Sequence, residues 1–146
     1  MEPSIQAQIQ QYDSCLQQWC AGYEDYAKSV GLSYTSLSIL NAIYDLPDCT
    51  QKQLCQVCFL PKQTVNTVVK ELQRQGYVRL EAGKDQKEKR IFFTDSGLAY
   101  AQERLGPLFE LEDRALEAIG SQAAQAVVTG QLAFTAAFER EVHRGT

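Results

Sequence analysis

The sequence predicts a mainly α-helical fold with one β-hairpin. Three observations support this. Apolar residues recur at three- and four-residue spacing along most of the chain, the period changes to alternation at 77–82 and to a run of β-forming residues at 89–94, and glycine or proline separates the periodic segments. The chain has 146 residues, of which 45% are apolar and 22% charged. It is therefore long enough to bury a core as one domain of ordinary size.

The first predicted helix is long and the second is short. A heptad pattern over residues 5–30 predicts one helix packed along another helix, and Gly31 should end it. Ser33 should cap a second helix that continues to about Leu46, where Pro47 stops it. The heptad positions are Ile5, Ile9, Tyr12, Leu16, Trp19, Tyr23, Tyr26 and Val30.

Two shorter helices should follow. Thr50 and Gln53 match a capping box at the start of a helix over 51–58. Pro61 suits the first position of another helix, which ends near Gln75. Its buried stripe should comprise Val65, Val68, Val69 and Leu72. Two short helices joined by a few residues, the second with a polar outer face, are typical of a helix-turn-helix.

The hairpin comes directly after the polar-faced helix. β-Forming residues predict strands at 77–82 and 89–94, and the charged loop between them contains glycine. This arrangement predicts the wing of a winged helix-turn-helix.

Two further helices complete the predicted fold. Thr94 or Asp95 should cap a long helix that Gly106-Pro107 bends or splits, and a last helix should run from Ser121 to about Arg144. The small residues of the last helix would let a neighbouring helix approach closely.

The basic side chains are concentrated in one segment. The net charge of −4 argues against nucleic acid binding by the whole surface, yet residues 62–90 hold eight basic and four acidic side chains. That segment carries +4 and the rest of the chain −8. A basic segment on an acidic body indicates a local anion-binding surface.

The outer face of the helix at 61–76 carries side chains suited to reading DNA bases. Glutamine and asparagine pair bidentately with adenine, and threonine offers a hydroxyl and a methyl group. Within this helix no acidic residue precedes Glu71, although the helix dipole favours acidic residues in the first turn. We predict a recognition helix in the major groove; an amide-rich solvent face is the alternative. The predicted base contacts are Gln63, Thr64, Asn66 and Thr67.

Basic residues around this helix and in the hairpin should contact the DNA backbone. The segment 83–89 is expected at the adjacent minor groove, with a solvated loop as the alternative. The predicted phosphate contacts are Lys52, Lys62, Lys70, Lys84, Lys87, Lys89 and Arg90.

Two stretches of the sequence resemble MarR-family winged-helix regulators: TQKQLCQVCFLPKQTVNTVVKELQRQGYV and RLEAGKDQKEKRIFFTDSG. Asp85, Glu88 and Arg90 occupy the acid, acid and arginine positions of that family's wing. FFTDSG stands where the family usually has Leu-Thr, two residues and glycine. The resemblance, which covers nearly the whole chain, implies a pairing of Arg90 with Asp85.

The resemblance also implies an assembly and a function. It implies an obligate homodimer whose first and last helices interleave, with a helical dimerisation region at 1–32 and 107–146 and a DNA-binding lobe at 33–106. It further implies a regulated transcriptional switch, often a repressor, on double-stranded DNA. Dimer symmetry predicts a pseudo-palindromic operator.

Three regulatory mechanisms compete. A small aromatic effector could bind among Trp19, Tyr23, Tyr26, Tyr34 and Tyr44, although an aromatic core along the heptad seam is the simpler interpretation. Oxidation could act on Cys15 or Cys20, although no basic neighbour favours a thiolate there. A metal is not expected, because the remaining cysteines lack the histidine partners of a zinc site. Those cysteines are Cys49, Cys55 and Cys58.

Other classes of protein are not expected. The sole histidine, His143, lies near the end of the chain, and no enzyme motif or cofactor motif is present. No run of about 18 apolar residues predicts a membrane span, and the first residues do not resemble a signal peptide, so a cytoplasmic protein with free thiols is expected. The alternative function is a winged-helix module that binds another protein instead of DNA.

Overall fold

The computed structural model describes residues 1–83 and 88–145, and these form six helices and two strands. Their bounds are α1 Ile5–Ser29, α2 Tyr34–Asp45, α3 Gln51–Cys58, α4 Lys62–Arg74, β1 Val78–Ala82, β2 Lys89–Phe93, α5 Asp95–Ile119 and α6 Ser121–Arg144. The predicted mainly α winged helix-turn-helix fold is confirmed. The chain divides into two compact units, and the second begins at Gly106.

Side-chain caps fix the helix starts where the sequence predicts them. Ser33 accepts a hydrogen bond from the Ser36 amide at 3.0 Å at the start of α2. The capping box of α3 is complete: the Gln53 amide donates to Thr50 Oγ1 at 3.2 Å, and the Thr50 amide donates to Gln53 Oε1 at 2.9 Å. These bonds satisfy amides that a helix start leaves unpaired.

The start of α4 differs from the prediction by one residue. Pro61 is the N-cap rather than the first helical residue, because its ψ of 149° is extended while its φ of −62° suits either position. It provides no side-chain cap. Val65, Val69 and Leu72 are buried as predicted, whereas Val68 is only partly buried.

The core of the first unit lies beneath the helix-turn-helix and the wing. Helix α2 contacts α3 and α4, and α3 contacts α4 and β2. Fully buried side chains come from each of these elements and from α5: Ile39, Leu40, Leu54, Val65, Val69, Ile91, Ala101 and Leu105. Helix α4 is therefore held by its inner side against a close-packed base.

The wing is tied to the segment before α3 as well as to itself. Strands β1 and β2 are antiparallel, with Leu80 opposite Ile91. The Ile91 amide donates to the Cys49 carbonyl at 2.8 Å, and Thr50 forms an isolated bridge with Arg90. The helix-turn-helix and the base of the wing thus share backbone hydrogen bonds.

The TDSG sequence joins the start of α5 to the turn after α4. Thr94 Oγ1 donates to the Gly76 carbonyl at 2.6 Å and accepts from the Gly97 amide at 3.0 Å. A Cβ atom on Gly97 would lie 1.7 Å from the Tyr77 carbonyl oxygen. Only glycine lets α5 begin so close to that backbone.

Helix α5 runs through Pro107 without interruption, so of the two expected effects of Gly106-Pro107, a bend or a split, the split does not occur. Proline removes one backbone donor, but the helix continues on both sides of it. In the described ranges, no helix is both long and apolar enough to cross a membrane.

We expect Gly97→Ala to lower the free energy of unfolding by about 3 kcal/mol or more, because the added methyl group overlaps fixed backbone. Urea unfolding followed by circular dichroism measures this. Gly22→Ala is the matched control: nothing lies within 4 Å of its added Cβ, so it should raise stability by about 0.5–1 kcal/mol through helix propensity. Equal stabilities for Gly97→Ala and the wild type would contradict the close approach.

Candidate nucleic-acid interface

Helix α4 has one buried and one polar side. Val65 and Val69 are fully buried on the inner side. Gln63, Thr67 and Lys70, spaced by four and three residues, lie along the outer side and are exposed. The partly buried Thr64 and Asn66 complete the predicted base-reading set on the first two turns. We call these five residues, with Lys62, the polar face of α4.

The conformation of Thr67 limits what its side chain can offer to a base. Its hydroxyl donates to the Gln63 carbonyl at 2.9 Å, so the proton is already used. An acceptor lone pair and the methyl group remain. The methyl group suits a thymine methyl, and the lone pair suits an amino group of adenine or cytosine.

The first turn of α4 is electrostatically open to an anion. It contains no acidic residue, and Pro61 contributes no capping side chain. The partial positive charge of the helix start is therefore not neutralised locally. DNA phosphates favour such a surface, whereas an acid in the same turn would repel them.

Glu71 is paired within the helix. Arg74 Nε and Nη2 donate to its two carboxylate oxygens at 2.8 and 2.5 Å. These hydrogen bonds hold the pKa of Glu71 below its usual range and raise that of Arg74. Both groups are exposed, so the pair adds little stability. The main effect of the pair is that Arg74 offsets the negative charge of Glu71, which lies after the first two turns of α4.

The predicted phosphate contacts fall on three elements. Lys52 on α3, Lys62 and Lys70 on α4, and Lys89 on β2 all have exposed side chains. Lys84 and Lys87 lie outside the described residues, so their predicted roles stay predictions.

Arg90 is held by the backbone in front of α3. Its Nη1 donates to the Asp48 carbonyl at 2.9 Å, and Asp48 has a φ of 59° that turns this carbonyl toward the hairpin. Asp85, the partner implied by the family resemblance, lies outside the described residues. In the structure Arg90 links the wing to the helix-turn-helix, and it is still exposed to solvent.

Three of the five predicted effector-binding aromatics contact one another. The Trp19 and Tyr23 ring centroids are 5.8 Å apart, and those of Tyr23 and Tyr34 are 6.0 Å apart. The hydroxyl of Tyr26 donates to the Arg104 carbonyl. Tyr44 lines a cavity of about 250 Å³ that is formed by α2, the hairpin and the first turn of α5.

Sequence reasoning missed a cation in the first unit. The Arg104 guanidinium lies 3.7 Å from the Tyr100 ring centroid, and Tyr100 stacks on Tyr77 at 4.0 Å. Arg104 Nε is buried without a hydrogen-bond partner among the described residues. Burial raises the pKa of Tyr100, so this phenol stays neutral. The four-residue spacing of Tyr100 and Arg104 was the only available signal.

The cysteines divide by exposure. Cys15 and Cys20 on α1 are exposed, and Cys55 is partly buried. Burial raises the pKa of Cys49 to about 11 and also raises that of Cys58, which disfavours the reactive thiolate at both sites. No group of three potential metal ligands is found within residues 1–83 and 88–145.

Comparison with known proteins relates part of the chain to a family and most of it to a fold. A family model described as "MarR family" matches residues 30–88. The transcriptional regulator SarZ of Staphylococcus epidermidis is 34% identical over 76 residues, and SarZ of Staphylococcus haemolyticus is 32% identical over 77. The chain spans about half the length of these curated relatives, 51% and 52%, and the matches cover the same shares of this chain.

The likeness to solved structures extends over most of the chain. NMB1585, a MarR family regulator from Neisseria meningitidis, has a TM-score of 0.83 at 23% identity and covers 95% of this chain and 99% of its own. At this identity the match establishes the fold alone, and the family model and the SarZ relatives add a similarity in sequence over about half of the chain or less. Residues 30–88 match the MarR family, and the chain as a whole has the fold of MarR-family transcriptional regulators.

Proposed function

We propose that this protein is a sequence-specific regulator that binds double-stranded DNA as a homodimer, with the helix region 61–76 in the major groove and the segment 83–89 at the adjacent minor groove. The observation that carries this proposal is the polar face of α4. It is acid-free in its first turn and lies opposite two fully buried valines. Repression is the proposed output, because a dimer seated on an operator excludes other proteins from the same grooves.

Helix α6 supports the homodimer. It has 24 residues and none of them is buried, although its apolar side chains recur at helical spacing. Exposed apolar residues on this helix are Val127, Val128, Leu132, Phe134, Phe138 and Val142. So much exposed apolar surface favours a protein partner, and a second copy of the chain is the partner we propose. Two copies would place their recognition helices on half-sites about 10 bp apart.

The proposed effector is a small aromatic compound. The contacting rings of Trp19, Tyr23 and Tyr34 support this, because Trp19 and Tyr34 retain exposed surface. Oxidation of the exposed Cys15 or Cys20 is the second mechanism. DNA selection repeated with small aromatic compounds and with peroxide distinguishes them.

The operator itself comes from selection of bound duplexes out of a random pool. On that operator we expect Asn66→Ala to lose about 1–3 kcal/mol of binding free energy and to relax the sequence preference at one base pair of each half-site, because a bidentate base contact is lost. Fluorescence anisotropy on the operator and its single-base variants measures both effects. Gln73→Ala, an exposed amide at the far end of α4, is the control. Wild-type preference in Asn66→Ala would remove Asn66 from the base-reading set.

Lys70→Ala should behave differently. We expect it to weaken binding to the operator and to scrambled DNA by the same factor. The slope of log K against log salt should also fall by about one per half-site, because one phosphate contact is lost. Titrations at four salt concentrations on both duplexes test this. A loss confined to the operator would instead indicate that Lys70 contacts a base.

Phe138→Glu should convert the dimer to monomers, because it puts a charge into the apolar surface of α6, where Phe138 is 59% exposed. Sedimentation velocity measures the assembly. Gln122→Glu adds the same charge about 160° around the helix and should leave the dimer intact. Dimers in both variants would exclude this side of α6 from the interface.

A further inference from the structure

Phe59, between α3 and α4, adopts an unusual backbone conformation. It caps α3 with φ 53° and ψ 46°, in the left-handed region. Among the described residues, Asp48 is the other non-glycine residue with positive φ. Aspartate tolerates this region because its short side chain bonds locally, whereas a bulky residue does not, and glycine is the usual residue at such a helix end.

The Phe59 side chain gains no burial in return. It is 86% exposed, so the left-handed turn does not place the ring in the core. Val57, two residues earlier on α3, is also 50% exposed. Phenylalanine at this position therefore gives the isolated chain neither a relaxed backbone nor hydrophobic burial. Strained residues of this kind cluster at binding surfaces.

The position of Phe59 relates it to the polar face of α4. It precedes the N-cap Pro61 by two residues, so their Cα atoms are at most about 7.6 Å apart. The first turn of α4, with Lys62 and Gln63, follows at once. In a helix-turn-helix the N-terminal residues of the second helix reach the base edges. The segment just before them consequently meets the strand that borders the groove.

We propose that Phe59 belongs to the DNA interface, where its ring packs against the deoxyribose rings of the strand bordering the major groove that α4 enters. This inference rests on the proposed function. An uncharged ring has no complement in phosphate, but it matches the C–H surface of the sugars. Such a contact is independent of sequence and releases no counterions, so it has a different signature from a lysine or an amide.

Phe59→Gly separates binding from stability. Glycine adopts positive φ freely, so the variant should unfold at a Tm higher by about 4 °C. The same variant should bind the operator and scrambled DNA about tenfold more weakly, with an unchanged salt slope, because apolar contact is lost and no charge is removed. Phe59→Leu, which keeps an apolar side chain and the strain, should retain most of the affinity.

Asp48→Gly is the matched control, since it relieves the other left-handed residue. It should also raise the Tm, and it should not weaken DNA binding, because Arg90 is held by the backbone carbonyl of residue 48, which glycine keeps. Phe59→Gly binding with wild-type affinity, or a weakening that lowers the salt slope, would overturn the role of Phe59. If the wild type bound no duplex DNA in the selection, the proposed function would fail first. These two failures are distinguishable within one set of titrations.

Discussion

The burial of Val65 and Val69 is the constraint on which the rest of the molecule depends. Both side chains are fully buried, so the helical period directs Gln63, Thr67 and Lys70 outward without further instruction. A register change of one residue would put valine in solvent and amides in the core, at a cost of several kcal/mol. The same packing that stabilises the lobe therefore determines which side chains can meet a ligand.

Hydrogen bonds join the helices and the wing of the DNA-binding lobe into one unit. The Ile91 amide joins β2 to Cys49, Arg90 joins the wing to Asp48, and Thr94 joins the start of α5 to Gly76. Moving the wing relative to α4 would break several of these bonds at once. In the proposed dimer, an effector would more easily change the separation of two such lobes than the internal shape of one. DNA affinity depends on the separation of the two lobes, because both recognition helices must meet the same face of the duplex.

Local signals specified most of the fold, and contacts distant in sequence determined the remainder. The capping box at Thr50 predicted α3 to the residue, because both partners lie within one turn. Pro61 was misplaced by one position, since its φ suits the N-cap as well as the first turn. The stack of Arg104, Tyr100 and Tyr77 joins α5 to the residue before β1, and local spacing indicates only its Tyr100–Arg104 half, not the contact with Tyr77. The left-handed Phe59 was equally hidden, because residue type argues against that conformation.

The weak points of the structure coincide in one short segment. Phe59 is strained, Pro61 offers no cap, and the first turn of α4 lacks an acid. In a protein selected for stability alone, glycine would be favoured at position 59 and serine or aspartate at the N-cap. Glutamate would be favoured in the first turn of α4. An acid there would repel phosphates, a capping side chain would occupy amides that an anion can use, and glycine would remove the exposed ring. A DNA surface explains all three departures together, whereas a solvated helix start explains none of them.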